Sequence, residues 1–240
     1  MDIDRMEDEA LGPRLVWTPA RPPDPTTLSG RYARIEPVDA ARQARDLFDA
    51  SHGANGDPAI WTYLGYGPFA DETAFASWLV ERSRSSDPLF FTLLDSAAGR
   101  AAGMASYLRM TPMEGVIEIG HIWFAPNLQD TRHGTEAIFL MAKHAFDELG
   151  YRRFEWKCNA RNEPSRHAAI RLGFTFEGIF RQHMIVKGRN RDTAWYAIID
   201  RDWPAIRKAF EDWLDPANFD SDGRQLRALA ARDFAGASPL

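Results

Sequence analysis

Apolar residues recur at helical spacing in several stretches of the chain. In DETAFASWLVERS, residues 71–83, Phe75, Trp78 and Leu79 lie three and four positions apart. This spacing places apolar side chains on one face and predicts a helix. The same pattern predicts helices in ARQARDLFDA, which ends near Gly53, and in the closing segment WPAIRKAFEDWL.

Other stretches have the short apolar or alternating patterns of strands. They are RYARIEPVD from Arg31, LFFTLLD, AAGMASYLRM, GVIEIGHIWF, EGIFRQHMIV and DTAWYAIID. The second and third flank the turn SAAGR, and the last two flank the basic turn KGRNR, so each pair predicts a hairpin. GVIEIGHIWF stops at Ala125-Pro126 because proline cannot continue a central ladder.

The centre of the chain predicts a strand, a helix and a second strand in parallel. A strand over 116–124 and a loop over 125–134 precede a helix over 135–149, which is followed by a strand over 153–159 and a short helix, EPSRHAAIRLGF. The order predicts a mixed α/β fold, with a mostly antiparallel sheet flanked by helices and one parallel βαβ unit.

Composition places these elements in one domain. The chain has 240 residues, of which 45% are hydrophobic, and this is enough for one large core. Residues 1–28 are acidic and then proline-rich, and predict an extended arm. The main domain is expected over 29–214 and a polar tail over 215–240.

Charge and residue usage narrow the classes of function. A net charge of −5 argues against bulk nucleic-acid binding. No apolar run approaches the roughly 20 residues that span a bilayer, and the acidic N-terminus does not resemble a secretory signal. The simplest interpretation is a soluble cytoplasmic protein without membrane association. The single cysteine, Cys158, cannot form an intramolecular disulfide, and it is expected to be an inert buried thiol.

The sequence does not support several common kinds of functional site. The six histidines show no H-E-x-x-H spacing, so no metal is predicted. No G-x-S-x-G elbow supplies a hydrolase nucleophile. GYGPFA, residues 65–70, matches G-x-G-x-x-A but follows no clear strand and contains Pro68, so a surface turn is preferred over a dinucleotide loop.

The loop LQDTRHGTEA has two interpretations. Free N–H groups and the positive end of the dipole at a helix start can hold a phosphate, and Arg132 can add a charge-assisted bond. Alternatively, Thr135 and Glu136 merely cap the helix. The spacing alone does not decide between them.

The run from Glu118 to Gln182 resembles a known family. It is similar to the acetyl-CoA-binding half of GNAT-superfamily N-acetyltransferases, and most resembles the branch with ribosomal-protein N-terminal (alanine and serine) acetyltransferases. The matching positions are Glu118, Gln129 to Ala137, Asn162 with Ser165, Leu172-Gly173-Phe174 and Glu177-Gly178. The resemblance covers roughly residues 28–210. One departure is Arg132, which stands where the family usually has its first loop glycine.

The resemblance implies acetyl-CoA as co-substrate and assigns positions to it. Backbone groups of Ile122, Trp123 and Phe124 would hold the pantetheine arm and thioester carbonyl, and Asn162 would contact the pantetheine. The pyrophosphate would lie on the loop formed by Gln129, Asp130, Thr131, Arg132, His133, Gly134 and Thr135.

Two side chains are candidates for proton transfer. Glu118 is the candidate base, acting directly or through water, although a strand-edge salt bridge is an equal alternative. Ser165 is the candidate donor to the departing thiolate, although it can equally cap the helix start.

The expected function is acetyl transfer to a primary amine, either a protein N-terminus or a small amine, by a monomer or homodimer. A non-catalytic acyl-CoA-binding module is the alternative. A nucleotide-phosphate site is disfavoured because no G-x-x-x-x-G-K-[ST] motif is present.

Overall fold

The computed structural model describes residues 11–12, 14–95 and 99–231. Within 14–95 and 99–231 the chain forms eight strands and five α-helices. The strands are β1 (Leu28–Ser29), β2 (Arg34–Pro37), β3 (Leu89–Asp95), β4 (Arg100–Thr111), β5 (Val116–Phe124), β6 (Arg153–Asn159), β7 (Thr175–Val186) and β8 (Arg189–Ile199). The helices are α1 (Ala40–His52), α2 (Glu72–Ser83), α3 (Arg132–Lys143), α4 (Glu163–Arg171) and α5 (Trp203–Trp213).

All eight strands form one sheet in the order β1-β2-β3-β4-β5-β6-β8-β7. Every pair is antiparallel except β5 and β6, which pair in parallel from Val116 opposite Arg153 to Ile119 opposite Trp156. The connection between the parallel strands contains α3, as a parallel crossover requires. The predicted mixed α/β fold class is confirmed.

Helices cover both faces of the sheet. Leu89, Phe91 and Leu93 belong to a large apolar cluster that includes α3 and α5, whereas Phe90 belongs to a smaller cluster with α1 and α2. Successive strand residues point to opposite faces, so the two clusters lie on opposite sides of the sheet.

Several element boundaries differ from the sequence predictions, and two of the differences have a clear physical cause. The strand expected from Arg31 begins only at Arg34, because the backbone N–H groups of Arg31, Tyr32 and Ala33 donate to the buried carboxylate of Glu136. The helix expected over 135–149 begins at Arg132, and its last turn, His144–Glu148, is a π-helix. The long-range hydrogen bonds to Glu136 explain why the strand begins late. The local cap at Thr131 explains why the helix begins early.

Much of the predicted arm and tail packs onto the domain. In the arm, Trp17 Nε1 donates to the Met113 carbonyl at 2.9 Å, and Ala20 is buried. Beyond α5, a 3₁₀ turn forms at Pro216–Asn218, and Leu229 and Ala231 join the large cluster. Residues 1–10, 13 and 232–240 of these two segments lie outside the described residues. The polar character of 215–240 therefore does not prevent its described part from packing.

Candidate functional site

The parallel strands separate beyond their short paired segment. β5 and β6 pair only as far as Ile119 and Trp156, whereas β6 remains paired with β8 as far as Asn159. A gap therefore opens between Gly120–Phe124 and Lys157–Asn159. A cavity of about 220 Å³ occupies it, lined by β5, β6, residues 60–65 and the start of α4.

A β-bulge distorts β5 at this gap. Ser106 pairs with Gly120 and Met104 pairs with Trp123, so Ala105 alone faces both His121 and Ile122. His121 has a left-handed backbone with φ 53°. Because bulged residues leave the regular ladder, backbone groups near Ile122 are available to a ligand. Ile122 lines the cavity, as the sequence prediction requires.

Trp123 and Phe124, the other two residues of β5 predicted to hold the pantetheine arm, have different surroundings. Trp123 is buried in the smaller cluster, and Phe124 packs against the larger one. The Phe124 carbonyl accepts a hydrogen bond from Gln129 Nε2 at 2.9 Å. The Gln129 side chain therefore fixes the loop to the end of β5.

The loop ends in a capped helix start. The Thr131 hydroxyl accepts from the Gly134 N–H at 3.3 Å and donates to the Leu128 carbonyl at 2.8 Å. The N–H groups of Arg132 and His133, in the first turn of α3, have no acceptor within the helix. This helix start lies beyond the carboxyl end of β5, where α/β proteins commonly bind phosphate.

The Arg132 side chain packs against two aromatic rings that also contact each other. Its guanidinium carbon is 4.5 Å from the centre of the Tyr32 ring and 5.2 Å from that of Phe219. Gly134 is needed for close packing, since a Cβ there would approach the Leu128 carbonyl oxygen to 2.7 Å. The glycine at position 134 thus serves packing within the loop.

Three further loop residues have distinct environments. Thr135 is buried, and its hydroxyl accepts from Arg171 Nη1 at 3.1 Å. His133 packs edge-on against Tyr32, and burial lowers its pKa. Asp130 has a left-handed backbone with φ 56°, a conformation that aspartate tolerates better than most residues.

Asn162 and Ser165 lie together at the start of α4. Asn162, not Ser165, is the N-cap, and its Oδ1 accepts from the Ser165 N–H at 3.3 Å. The Ser165 hydroxyl accepts from Trp156 Nε1 at 3.0 Å, so its own proton can be donated to another group, and the Cys158 sulfur is one such acceptor. Both residues line the cavity. Next to them, burial raises the pKa of the Cys158 thiol, and a hydrogen bond with Ser165 opposes that effect.

Glu118 lies in a buried ionic network. Arg109 Nη1 donates to its two carboxylate oxygens at 3.0 and 2.8 Å, and Lys157 Nζ donates to Oε2 at 2.9 Å. Lys157 also pairs with Glu155 at 2.6 Å and lies 3.9 Å from the centre of the Trp195 ring. The Glu118 side chain is only 5% exposed, yet it lines the cavity.

A second titratable side chain, that of His121, lines the same cavity. His121 Nδ1 is 3.0 Å from the Tyr66 hydroxyl, and the two rings are stacked. Burial, followed by the positive charges of Arg109, Arg82 and Arg191, lowers the pKa of His121 to about 4. Burial raises the pKa of Tyr66 above its ordinary value. His121 is therefore neutral near pH 7 and can act as a hydrogen-bond acceptor.

The cavity brings together four of the predicted site residues, namely Glu118, Ile122, Asn162 and Ser165. The predicted phosphate loop, 129–135, does not line it. Sequence reasoning missed four further residues that line the cavity, namely Arg109, His121, Lys157 and Arg191. One signal was available, because Glu155 and Lys157 alternate with buried Phe154, Trp156 and Cys158 and so mark a polar face of β6.

Among the described residues, no group of three or more histidine, cysteine, aspartate or glutamate side chains is arranged to hold a metal ion. None of the helices in the same part of the chain is long and apolar enough to cross a membrane.

Comparison with known proteins supports the interpretation of the fold. Residues 34–175 match the acetyltransferase (GNAT) domain. The crystal structure of a GCN5-related N-acetyltransferase from Brucella melitensis is 47% identical in sequence and superposes with a TM-score of 0.88, covering 91% of this chain and 99% of that one.

Two curated bacterial proteins are similar over shorter segments. YdaF of Bacillus subtilis is 30% identical over 105 residues, which are 44% of this chain and 57% of that protein. The ribosomal-protein-serine acetyltransferase of Escherichia coli is 31% identical over 99 residues, which are 41% of this chain and 55% of that protein. The matches thus span little more than half of each relative.

The fold and these similarities place the chain in the class of acetyltransferases. It belongs to the acetyltransferase (GNAT) domain family. The predicted resemblance and the predicted enzyme class are confirmed at this level, and the similarity to a ribosomal-protein acetyltransferase supports the suspected branch.

Proposed function

We propose that the protein transfers the acetyl group of acetyl-CoA to a primary amine by direct attack within a ternary complex. The acceptor is a protein N-terminus or a small amine. The observation that carries this proposal is the cavity between the separated strands β5 and β6, which is lined by Glu118, Ile122, Asn162 and Ser165.

The thioester end of acetyl-CoA fits this gap. The bulge at His121 and Ile122 frees backbone groups on one side, and Asn162 and Ser165 face the gap from the other. Beyond β5, the loop from Gln129 to Thr135 leads into the start of α3, whose dipole and free N–H groups suit the pyrophosphate. The relatives named as acetyltransferases support acetyl transfer in general.

The reaction requires three events around one carbonyl. The amine nitrogen attacks the thioester carbon, a base accepts the amine proton, and the carbon–sulfur bond breaks to release a thiolate that is then protonated. Glu118 is the proposed base, directly or through water, and Ser165 is the proposed donor to the thiolate. Holding both substrates in one cavity supplies proximity without a covalent enzyme intermediate.

His121 is a competing candidate for the base. It lines the cavity beside Glu118 and is neutral near pH 7, whereas cations already engage both oxygens of Glu118. Glu118 remains the proposed base because its carboxylate lines the cavity and the family resemblance includes a glutamate at this strand position.

Thiol release tests the proposed function. We expect the purified chain to release free CoA from acetyl-CoA only when a suitable amine is added, and mass spectrometry should show the acetylated amine. A Ser165→Ala variant should bind CoA normally in calorimetry while releasing thiol more slowly. CoA binding without thiol release for any amine in a broad panel would support the non-catalytic acyl-CoA-binding module instead.

A further inference from the structure

A second, larger cavity continues from the first, away from the phosphate loop. It has a volume of about 470 Å³ and lies between residues 62–63, residues 159–161 and the turn of the β7–β8 hairpin. Tyr63, Asn159 and Arg191 line both cavities, so the two spaces adjoin. We call the larger one the acceptor groove, since it begins where the thioester end of acetyl-CoA is proposed to lie.

Two hydrogen bonds hold the walls of the acceptor groove together. Lys187 Nζ, in the hairpin turn, donates to the Trp61 carbonyl at 2.7 Å. The Tyr63 hydroxyl donates to the Arg161 carbonyl at 3.0 Å. The hairpin turn therefore forms one wall of a bounded groove.

The lining of the acceptor groove is cationic. It includes Arg161, Lys187, Arg189 and Arg191 but only one carboxylate, Asp192. Asp192 Oδ1 already accepts from the Gln182 N–H at 2.7 Å and from Asn190 Nδ2 at 2.9 Å. This excess of positive charge stands out in a chain whose net charge is −5.

Arg191 is a half-buried cation that forms no ion pair with any of the described residues. Its Nε atom is buried and makes no hydrogen bond, and within the residues that the structure describes no carboxylate forms an ion pair with it. By contrast, Arg109 and Lys157 in the neighbouring cavity both contact Glu118. Burial lowers the pKa of Arg191 and the nearby charge of Arg109 acts in the same direction, while Cys158 and the charge of Glu118 oppose the shift without forming an ion pair.

An unpaired desolvated guanidinium costs free energy that a bound anion can recover. Guanidinium groups bind carboxylates through two parallel hydrogen bonds, which suits a buried arginine. The phosphates of CoA are not the expected anion, because residues 129–135 line neither cavity. The anion therefore belongs to the molecule that enters from the acceptor groove.

We propose that the acceptor is a primary amine with a carboxylate a few bonds away, and that Arg191 binds this carboxylate while the amine faces Glu118. The proposal rests on the proposed acetyl transfer and specifies its acceptor. The carboxylate can come from an acidic side chain near a peptide N-terminus or from a small amino acid. The shared chemistry is the pairing of amine and carboxylate.

Matched acceptors test the proposal. One pair is a peptide with glutamate at its second position and the same peptide with glutamine there, both amidated at the C-terminus. The other is a small amino acid and its amide. We expect the wild-type protein to prefer the carboxylate member of at least one pair by about tenfold or more in kcat/KM, which corresponds to about 1.4 kcal/mol. Whichever pair shows the preference identifies the source of the carboxylate.

Two variants test whether Arg191 causes the preference for carboxylate acceptors. Arg191→Gln should abolish the preference by raising KM for the carboxylate acceptor, with KM for acetyl-CoA unchanged. Arg45→Gln, at an exposed position on α1 that lines neither cavity, should behave like the wild type. A preference for the uncharged acceptors would overturn the proposal, and so would an Arg191→Gln variant that weakens only acetyl-CoA.

Binding measurements separate this proposal from the proposed function. The CoA complex is titrated with each acceptor in a calorimeter, so that an anion preference is measured without turnover. No thiol release from any acceptor would contradict the proposed function. Thiol release without preference, or equal binding of both members of each pair, would contradict the anionic acceptor alone.

Discussion

At the scale of single residues, the role of Glu118 depends on the neighbouring strands. Arg109 comes from β4 and Lys157 from β6, and the register brings both to one carboxylate. These partners hold Glu118 in place and keep its charge compensated in a buried site. They also mean that a salt bridge and a catalytic base are not exclusive roles for this residue.

Glu118→Gln should therefore lower kcat by about 10²-fold, the lower range for loss of a general base. The affinity for CoA should change little, because Glu118 contacts no part of the phosphate loop. The measurement is kcat and KM across pH, beside the dissociation constant for CoA. His121→Asn is the matched variant, since asparagine tolerates the left-handed backbone at this position. If His121→Asn loses the larger part of kcat, the role of base passes to His121.

The lowered pKa of His121 should make the stability of the folded protein depend on pH. Its pKa is about 4 in the folded protein, against an ordinary value of 6.5. The unfolded chain therefore binds more protons between these values, so this stabilisation is fully present above pH 6.5 and is lost as the pH falls through 4. The free energy of unfolding should drop by about 2–3 kcal/mol from this group alone between pH 7 and 4.5.

Urea unfolding at the two pH values measures this effect. His121→Asn should lose markedly less stability on acidification than the wild type. His167→Asn, at an exposed position of α4, is the control and should lose as much as the wild type. An identical pH dependence in all three proteins would show that His121 is not held neutral by burial.

At the scale of elements, local patterns predicted most of the fold. The β5–α3–β6 unit, the two hairpins and the closing helix all follow from short-range spacing, capping and proline positions. The separation of β5 from β6 and the ionic network around Glu118 do not, because they depend on which strands become neighbours. The surroundings of the loop could not be predicted from local patterns either, because Arg132 contacts Phe219, which is distant in the sequence.

Arg132→Ala tests the role of this loop arginine. Because its guanidinium packs against the Tyr32 and Phe219 rings, we expect a loss of about 1 kcal/mol in the free energy of unfolding. The affinity for CoA should stay within a few-fold of the wild type if backbone N–H groups hold the phosphates. Arg132→Lys keeps the charge and should lose less stability. A large loss of CoA affinity at unchanged stability would instead place the side chain on phosphate.

At the scale of the whole molecule, the two ends of the described chain support the proposed site. Residues near Trp17 pack against the β4–β5 turn, where a Cβ on Gly115 would lie within 2.3 Å of the indole. After α5, the segment with Phe219 returns to Tyr32 and Arg132 at the start of α3. Residues after 214 thus pack directly against the start of α3.

Asn218 is the residue on which this returning segment depends. It is buried, and its Nδ2 donates to the carbonyls of Trp213 and Arg227 at 2.9 and 3.2 Å, while its Oδ1 accepts from the Arg227 N–H at 2.9 Å. Asn218→Ala would leave three buried or half-buried backbone groups without partners. Each such group typically costs about 1 kcal/mol or more, so we expect a loss of about 2–4 kcal/mol in the free energy of unfolding.

The Asn218→Ala substitution should also affect the proposed CoA site at the start of α3. When residues 215–231 loosen, Phe219 leaves Arg132 and Tyr32, so the start of α3 should lose order and CoA should bind more weakly. Hydrogen exchange should show faster exchange both in 215–231 and in the first turn of α3, and calorimetry should show the weaker binding. Asn127→Ala, at an exposed position in the turn before the loop, is the control and should change stability little. Faster exchange confined to 215–231, with CoA affinity unchanged, would show that α3 does not depend on this segment.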